Sequence, residues 1–428
     1  MSRLIKLSNL QGNKKNNIEK LLTLNQHKIR LGLSRVKKVI QELKISNKPN
    51  TKYLTINGTS AKNSILQIFK SILIQHKKRY AATYSPHLLS IVERYEHNKK
   101  FIKPNILKKI LIKVSKYKNL TQFEKLIVGF GIYIKKLNLD WCLVEFGLFG
   151  RLDAVRALIS KPNIHIISPI SWDHLNWTRT KKRNLKTLKE IVYEKTSFIR
   201  SNVYVAKQSP VVLKYIKSQL KKNNSNKKFY GLDFKIIKKQ KKYFYKDKNY
   251  LFEIKSNLFG DYMYENMAVP IKIALDCKIP IKTIIKGLLK VNIQGRLQVL
   301  NNGNLLKKFG NNNKIVLDGA HNAQQSGRLV NVIKELKFKN RYAAISMINS
   351  KDPKSFLKPF KGKFKMIYFF DNPNQHNFIP KENLKKIAEN LGIKSKIAYS
   401  FDEIRKDKNS LYLFTGSLYW MGYLLKKN

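Results

Sequence analysis

The chain has 428 residues, 43% hydrophobic and 11% aromatic, enough apolar material for packed cores in two or three domains and too much for a disordered basic tail. Lys and Arg number 86 against 26 Asp and Glu, a formal charge of +60, and with only Cys142 and Cys277 a disulfide scaffold or a cysteine-rich zinc site is excluded. No apolar run approaches the ~18 residues of a membrane span, and Met1-Ser-Arg-Leu-Ile-Lys6 lacks the apolar stretch of a signal peptide, so the expected setting is the reducing cytoplasm, away from any membrane.

The positive charge has two readings. Cationic surfaces gain from counterion release on a phosphate backbone, which would point to nucleic acid. Here, however, the lysines are spread along the whole chain, and Asn, Ile and Tyr are abundant beside them. A composition that has drifted toward these residues, leaving a solvated basic surface, is the other reading. Either field attracts anions, nucleotides included.

No repeat of fixed period is visible, which argues against a solenoid. In chain order, Tyr53-Leu-Thr-Ile56 is a short β-rich run followed by a Gly-containing turn, and residues 65–75 carry Ile65, Leu66, Ile68, Phe69, Ile72 and Leu73 at helical spacing. Residues 123–137 read as a helix, Trp141-Cys-Leu-Val144 as a buried strand and 164–167 as another strand. A Lys/Asn-rich stretch with aromatics runs from Lys221 to about Tyr250, either a partly antiparallel elaboration or a solvated loop. Residues 266–277 are helical in pattern. A second alternating block begins near Gly295: strand 314–317, helix 322–336, strands 342–347 and 366–370, helix 382–390, strand 411–414 and helix 417–425. Such alternation predicts α/β architecture with mainly parallel sheets and a domain boundary near residue 293. Ligands of open α/β sheets bind beyond the carboxyl ends of strands, so a cleft between the two domains is the expected site.

Residues with chemical potential cluster after the predicted strands. Asn57-Gly58-Thr59-Ser60-Ala61-Lys62-Asn63-Ser64 joins a strand to a helix. Backbone amides at a helix N-terminus and a nearby lysine suit a phosphate, although the full P-loop pattern is not met and an ordinary βα turn is the other reading. Tyr84-Ser85-Pro86-His87-Leu88 reads as a turn. Glu145 ends a strand, where a carboxylate suits Mg²⁺, and Gly147 and Gly150 follow it in Glu145-Phe-Gly-Leu-Phe-Gly-Arg151-Leu-Asp153. Ser171-Trp-Asp173-His174 again follows a strand, Glu194-Lys195 would be unremarkable alone, and Asp318-Gly-Ala-His321-Asn322 and Gly416-Ser-Leu-Tyr419 both lead from strand to helix.

In this order and at these spacings the segments resemble the folylpolyglutamate synthase/dihydrofolate synthase family of the Mur-ligase superfamily, over nearly the whole chain from about Asn25. Arg30-Leu-Gly-Leu-Ser-Arg35 looks like the family's D-L-G-L-x-R element, Gly58–Ser64 its G-T-N-G-K-G-[ST] loop, Ser85–Leu88 its S-P-H-L loop and Glu145–Asp153 its E-x-G-x-G-G-R-x-D segment. Asp173-His174, Glu194-Lys195, Gly295-Arg296-Leu-Gln298, Asp318–Asn322 and Gly416–Tyr419 match the remaining signatures. The resemblance implies an N-terminal P-loop-type ATPase domain of mainly parallel sheet (1–293, the central type of Mur ligases) and a smaller Rossmann-like glutamate-ligase domain (294–428). It implies that ATP phosphorylates a carboxylate of dihydropteroate or a reduced folate, and that the amine of L-glutamate then displaces phosphate to form an amide.

The same resemblance assigns residues. Gly58, Thr59, Ser60, Ala61, Lys62, Asn63 and Ser64 would hold the phosphates, Ser85 and Glu145 one Mg²⁺, and His174 and Lys195 a second. An ammonium cannot ligate a metal, but in this family the matching lysine is carbamylated by CO₂, which requires a neutral amine. Asn266 would meet the adenine, Arg296 and Asp318 the nucleotide, His321 the phosphates, and Arg151 and Asp153 the pterin. Lys62, His321 and Lys195 are the expected catalytic side chains. A monomer is expected. Where the family has glycine, this chain has Ala61, Asn63 and Phe149; Ser60 stands for its Asn, and Thr196-Ser-Phe198 for Ala-Gly-Ile. A Cβ at a position needing positive φ costs free energy, so these departures bear on nucleotide affinity. A basic nucleic-acid-binding protein on a recycled ligase fold, and a ligase for another acid and amino acid, are the competing readings.

Overall fold

The computed structural model describes residues 30–172, 178–180, 183–184, 187–221, 223–373 and 377–428. In chain order its strands are β1 (Lys52–Asn57), β2 (Tyr80–Thr83), β3 (Glu96–His97), β4 (Lys100–Phe101), β5 (Trp141–Glu145), β6 (Ile164–Ile167), β7 (Thr178–Thr180), β8 (Arg183–Asn184), β9 (Asn202–Val205), β10 (Lys227–Phe229), β11 (Phe234–Lys239), β12 (Lys242–Asp247), β13 (Leu251–Ile254), β14 (Gln298–Val299), β15 (Lys314–Asp318), β16 (Asn340–Ile345), β17 (Met366–Phe369), β18 (Ser395–Ile397) and β19 (Ser410–Thr415). The chain divides into two compact units, Met1–Asn257 with Tyr264–Val291, and Leu258–Met263 with Asn292–Asn428.

The first unit is built on an eight-stranded sheet, order β10-β9-β6-β1-β5-β2-β3-β4. It is parallel from β10 to β2 and antiparallel only at the β3–β4 edge. β1 lies between β5 and β6 and is buried from Tyr53 to Asn57. Burial on both faces explains why its sequence is a nearly unbroken apolar run rather than an alternation. The helix Lys62–Gln75 follows at once and buries Ile65, Leu66, Ile68, Phe69, Ile72 and Leu73, the residues that carried the helical period.

Other helices begin where local chemistry starts them. The Thr121 hydroxyl accepts from the Glu124 amide while the Glu124 carboxylate accepts from the Thr121 amide, a reciprocal cap on Gln122–Lys135. Thr187 and Glu190 do the same for Leu188–Thr196. Pro104 and Pro210 open Pro104–Ser115 and Pro210–Leu220, where a missing N–H breaks no helical bond. Leu107, Ile110, Leu126 and Phe130 from these helices pack with Cys142 and Val144 of β5 in one core. The helical pattern expected from Asn266 extends further toward the N-terminus, over Asp261–Asp276, with Pro270 inside it.

The ambiguous stretch 221–250 is structured. β10 completes the edge of the large sheet, and β11, β12 and β13 form an antiparallel meander. Phe234 and Tyr245 are buried, and Tyr243 stacks on Tyr264 with ring centroids 3.6 Å apart. Lys235, Lys238, Lys239, Lys242 and Lys246 face water, which is why the composition resembled a solvated loop.

The second unit carries a six-stranded sheet, order β14-β15-β19-β16-β17-β18, parallel except for β14. The expected class, α/β with a large mainly parallel sheet and a second sheet domain, is the observed one. Among the described residues no helix is long and apolar enough to cross a membrane.

Candidate active site

In the first unit the candidate residues gather on loops beyond the carboxyl ends of β1, β5 and β6. The chain leaves β1 at Asn57 and turns at Gly58, which has φ +146°; an added Cβ would lie 2.0 Å from the Ser168 hydroxyl oxygen. Asn57 holds the turn from both ends of its amide: Oδ1 accepts from the Gly58 N–H at 2.7 Å, and Nδ2 donates to the Lys195 carbonyl at 2.9 Å. No role was expected for the Asn57 side chain. Its place directly before the glycine at a strand end was the available signal.

The loop is pinned from outside. The Thr59 and Ser60 amides both donate to the Pro169 carbonyl, at 2.9 and 3.1 Å, and the Thr59 hydroxyl bonds the Ser171 carbonyl. In this geometry a carbonyl takes the Thr59 and Ser60 amides. The donors left by the loop are the first-turn amides at Lys62, Asn63 and Ser64, which have no partner four residues back in the helix. Ala61 adopts the left-handed conformation, φ 63° and ψ 1°, immediately before Lys62. Asn63 lies in regular helix. Of the two loop departures, then, only Ala61 occupies a position that favours glycine. Phe149 is the other such departure, with φ 56°.

Lys62 Nζ lies 3.9 Å from Glu145 Oε1 and 3.4 Å from the Gly58 carbonyl, and Glu145 Oε2 accepts from the Ser85 amide at 3.3 Å. A lysine that opens a helix, a buried carboxylate that ends β5 and the backbone of Ser85 in the turn after β2 therefore converge. Mg²⁺ takes oxygen donors and fills the rest of its shell with water and phosphate oxygens, so one carboxylate with a neighbouring hydroxyl is a sufficient protein contribution. Glu145 and Ser85 fit that donor set. Among the described residues no group of three or more His, Cys, Asp or Glu is arranged to hold a metal.

Lys195 is 4% exposed and donates to the Gly58 carbonyl at 3.0 Å, with Nζ 5.7 Å from the centroid of the Phe149 ring. It is no surface cation. Asp173 and His174, the expected companions of Lys195, lie outside the described residues.

Arg151 and Asp153 are both anchored by protein. Arg151 forms a two-pronged pair with Glu194, at 3.0 and 3.1 Å. Asp153 is 3% exposed and accepts from the Gly147, Leu148 and Val155 amides. Burial pushes its carboxyl up to about 6, against the opposing pull of those three amides and of Lys195. The Asp153 carboxylate caps the helix Ala154–Leu158 and closes the 147–153 loop.

Asn266 is buried in the helix Asp261–Asp276. In the second unit, Asp318 ends β15, buried, and accepts from the Leu297 and Ala320 amides at 2.8 Å each. Burial raises its carboxyl pKa, while the Arg296 charge, those amides and the Tyr262 hydroxyl oppose the rise. Tyr262 was not anticipated and carried no motif. His321 Nδ1 lies 2.9 Å from the Gly319 carbonyl, and the Gly416 amide donates to Ala320 at 3.0 Å, tying the two strand-to-helix turns together.

No protein-family model matches the chain. A curated dihydrofolate synthase/folylpolyglutamate synthase of Bacillus subtilis is 23% identical over 439 aligned residues, covering 93% of this chain and 95% of that protein. The Haemophilus influenzae protein of the same name is 29% identical over 196 residues, 45% of this chain and 43% of that protein, so that match spans less than half of the relative. A solved Yersinia pestis bifunctional folylpolyglutamate synthase/dihydrofolate synthase, complexed with AMPPNP and Mn ion, superposes with a TM-score of 0.81 at 20% identity, covering 97% of this chain and 98% of that one. That likeness establishes the shared fold. With sequence kinship along nearly the full length of the Bacillus protein added to the ordered motifs and the fold, the chain is a homologue of the dihydrofolate synthase/folylpolyglutamate synthase family.

Proposed function

We propose that this chain is an ATP-dependent amide ligase that joins L-glutamate to dihydropteroate or to reduced folates, releasing ADP and phosphate. The observation that carries the reading is the convergence of Lys62, Glu145 and Ser85 at the carboxyl ends of the central strands, beside the first turn of the helix Lys62–Gln75. Phosphoryl transfer asks for alignment and charge neutralisation more than for covalent help from the protein. Lys62 and the amides at 62–64 orient the transferred group. Mg²⁺ held at Glu145 and Ser85 would supply charge neutralisation. The acyl phosphate formed on the substrate is then open to the glutamate amine, which takes the acyl carbon as phosphate leaves.

The remaining roles belong to the same reading. Lys195 is buried beside the loop, where carbamylation would turn it into an anionic oxygen donor, and a carbamate N–H could keep the hydrogen bond to Gly58. Asn266, Arg296, Asp318 and His321 serve the nucleotide and its phosphates, and Arg151 borders the pterin. The names and bound molecules of the relatives support nucleotide, divalent metal and folate substrates. We place the protein in the cytoplasm as a monomer, which sedimentation of the purified chain would check.

The decisive assay is ADP release with dihydropteroate plus glutamate, and separately with tetrahydrofolate plus glutamate, against each compound alone. The reading requires ADP formation that depends on both substrates. ADP release indifferent to glutamate, or none with either acid, overturns it.

A further inference from the structure

A cavity of ≈ 280 Å³ opens in the first unit, away from the phosphate loop. It is bordered by Lys161 and Pro162, which precede β6, and by Arg200 and Ser201, which precede β9. β1, β6 and β9 run parallel, so this is the amino end of the sheet and Gly58 is at the carboxyl end.

Two buried polar atoms behind its inner wall are unsatisfied. His165 is 1% exposed; its Nδ1 lies 2.8 Å from the Thr55 hydroxyl, and its Nε2 has no hydrogen-bond partner among the described residues. Burial holds the imidazole neutral, lowering its pKa to about 3. The Ser201 hydroxyl is likewise buried and unpartnered. Buried polar atoms are nearly always satisfied, so two orphans beside one cavity, without a partner among the described residues, mark a place for a bound water or ligand.

The flanking walls are aromatic and the mouth is cationic. Phe146 and Phe198 stand edge-on to the His165 ring at 5.7 and 5.6 Å. The Arg156 guanidinium lies 5.4 Å over Phe198, and Arg156, Arg200 and Lys161 border the space with no acidic residue among the lining. Burial and the neighbouring Arg151 and Arg200 charges lower the Arg156 pKa, the response of a cation short of a counter-charge.

We propose that this cavity binds a single-ring aromatic carboxylate. The ring packs against Phe198, in front of the buried Phe146 and His165 rings, and the carboxylate sits between Arg156 and Arg200. The site is separate from the nucleotide end, so it stands or falls independently of the activity proposed above.

Saturation-transfer NMR and calorimetry on the full chain, with nicotinate as the probe, test it. Expected is a Kd on the order of 1 mM or tighter. Nicotinamide, without the charge, and acetate, without the ring, should bind about tenfold more weakly or worse, and saturating ATP should leave nicotinate binding unchanged. Arg156→Met and the more exposed Arg200→Met should each weaken it about tenfold, as expected for loss of a charged hydrogen bond. No binding at about 10 mM, well beyond that range, equal binding of acetate, competition by ATP, or nicotinate binding indifferent to both substitutions each overturns the proposal. Should Arg156→Met fail to fold, Arg200→Met alone decides whether the arginines hold the carboxylate.

Discussion

Acidification should destabilise the first unit through a single buried ring. His165 packs between Phe146 and Phe198 with its Nδ1 against the Thr55 hydroxyl. Burial lowers its pKa from the ordinary 6.5 to about 3 in the folded protein. Between those values the unfolded chain binds a proton that the folded chain refuses. The stabilisation is therefore whole above pH 6.5 and is lost as pH falls toward 3. Going from pH 7 to pH 5 should remove about 2 kcal/mol by this route, at 1.36 kcal/mol per pH unit below 6.5. The comparison is urea unfolding of the wild type and of His165→Gln at both pH values, followed by tryptophan fluorescence. Carboxylates titrate alike in the two proteins, so the wild type should lose about 2 kcal/mol more than the variant between pH 7 and 5. Equal losses would refute the reasoning: either the ring is hydrated when charged, or a countercharge reaches it.

The loop substitutions should act with opposite signs. Ala61→Gly removes roughly 1–2 kcal/mol of left-handed strain and returns about 0.4–1 kcal/mol to unfolded-state entropy, so the urea midpoint should rise. Asn63→Gly puts glycine in the first helical turn and should lower it by a few tenths of a kcal/mol. A rise for both would place Asn63 outside the helix. Glu145→Gln should cut substrate-dependent ADP release by about a hundredfold or more, with an unchanged circular dichroism spectrum; near-normal turnover at limiting Mg²⁺ would remove Glu145 from the site. Lys195→Ala should abolish most activity and lose a ¹³C carbamate resonance seen for the wild type under ¹³CO₂. Lys189→Ala, on an exposed position, should alter stability by no more than about 0.5 kcal/mol and keep the resonance. A wild-type spectrum without that resonance would count against the carbamate.

The sequence alone determined the strand–turn–helix units, because their burial repeats locally. The apolar run of β1, the helical period through Leu73 and the polar turn between them need only neighbours two to four residues apart to be read. It also placed Lys62 after a strand and Glu145 at the end of one, which in a parallel sheet means at one end; the strand before Ser85, β2, was not read from the sequence. The meander β11–β13 was obscured because Lys235, Lys239, Lys242 and Lys246 cover one face, and a half-solvated strand resembles a loop in composition.

What only the tertiary structure decided are pairings across long stretches of chain. Pro169 takes the Thr59 and Ser60 amides, the Gly58 carbonyl takes Lys195 Nζ, and Asn57 Nδ2 reaches the Lys195 carbonyl. None of these leaves a periodic mark in the sequence. Backbone sign was equally hidden. Three residues stand where the family resemblance expects glycine, yet Ala61 and Phe149 have positive φ and Asn63 is helical. A motif records which side chain is present, whereas φ is set by the turn on either side. The orphaned Nε2 of His165 is the extreme case, since burial, a threonine from β1 and two aromatic rings from other loops had to be assembled before the atom had surroundings at all.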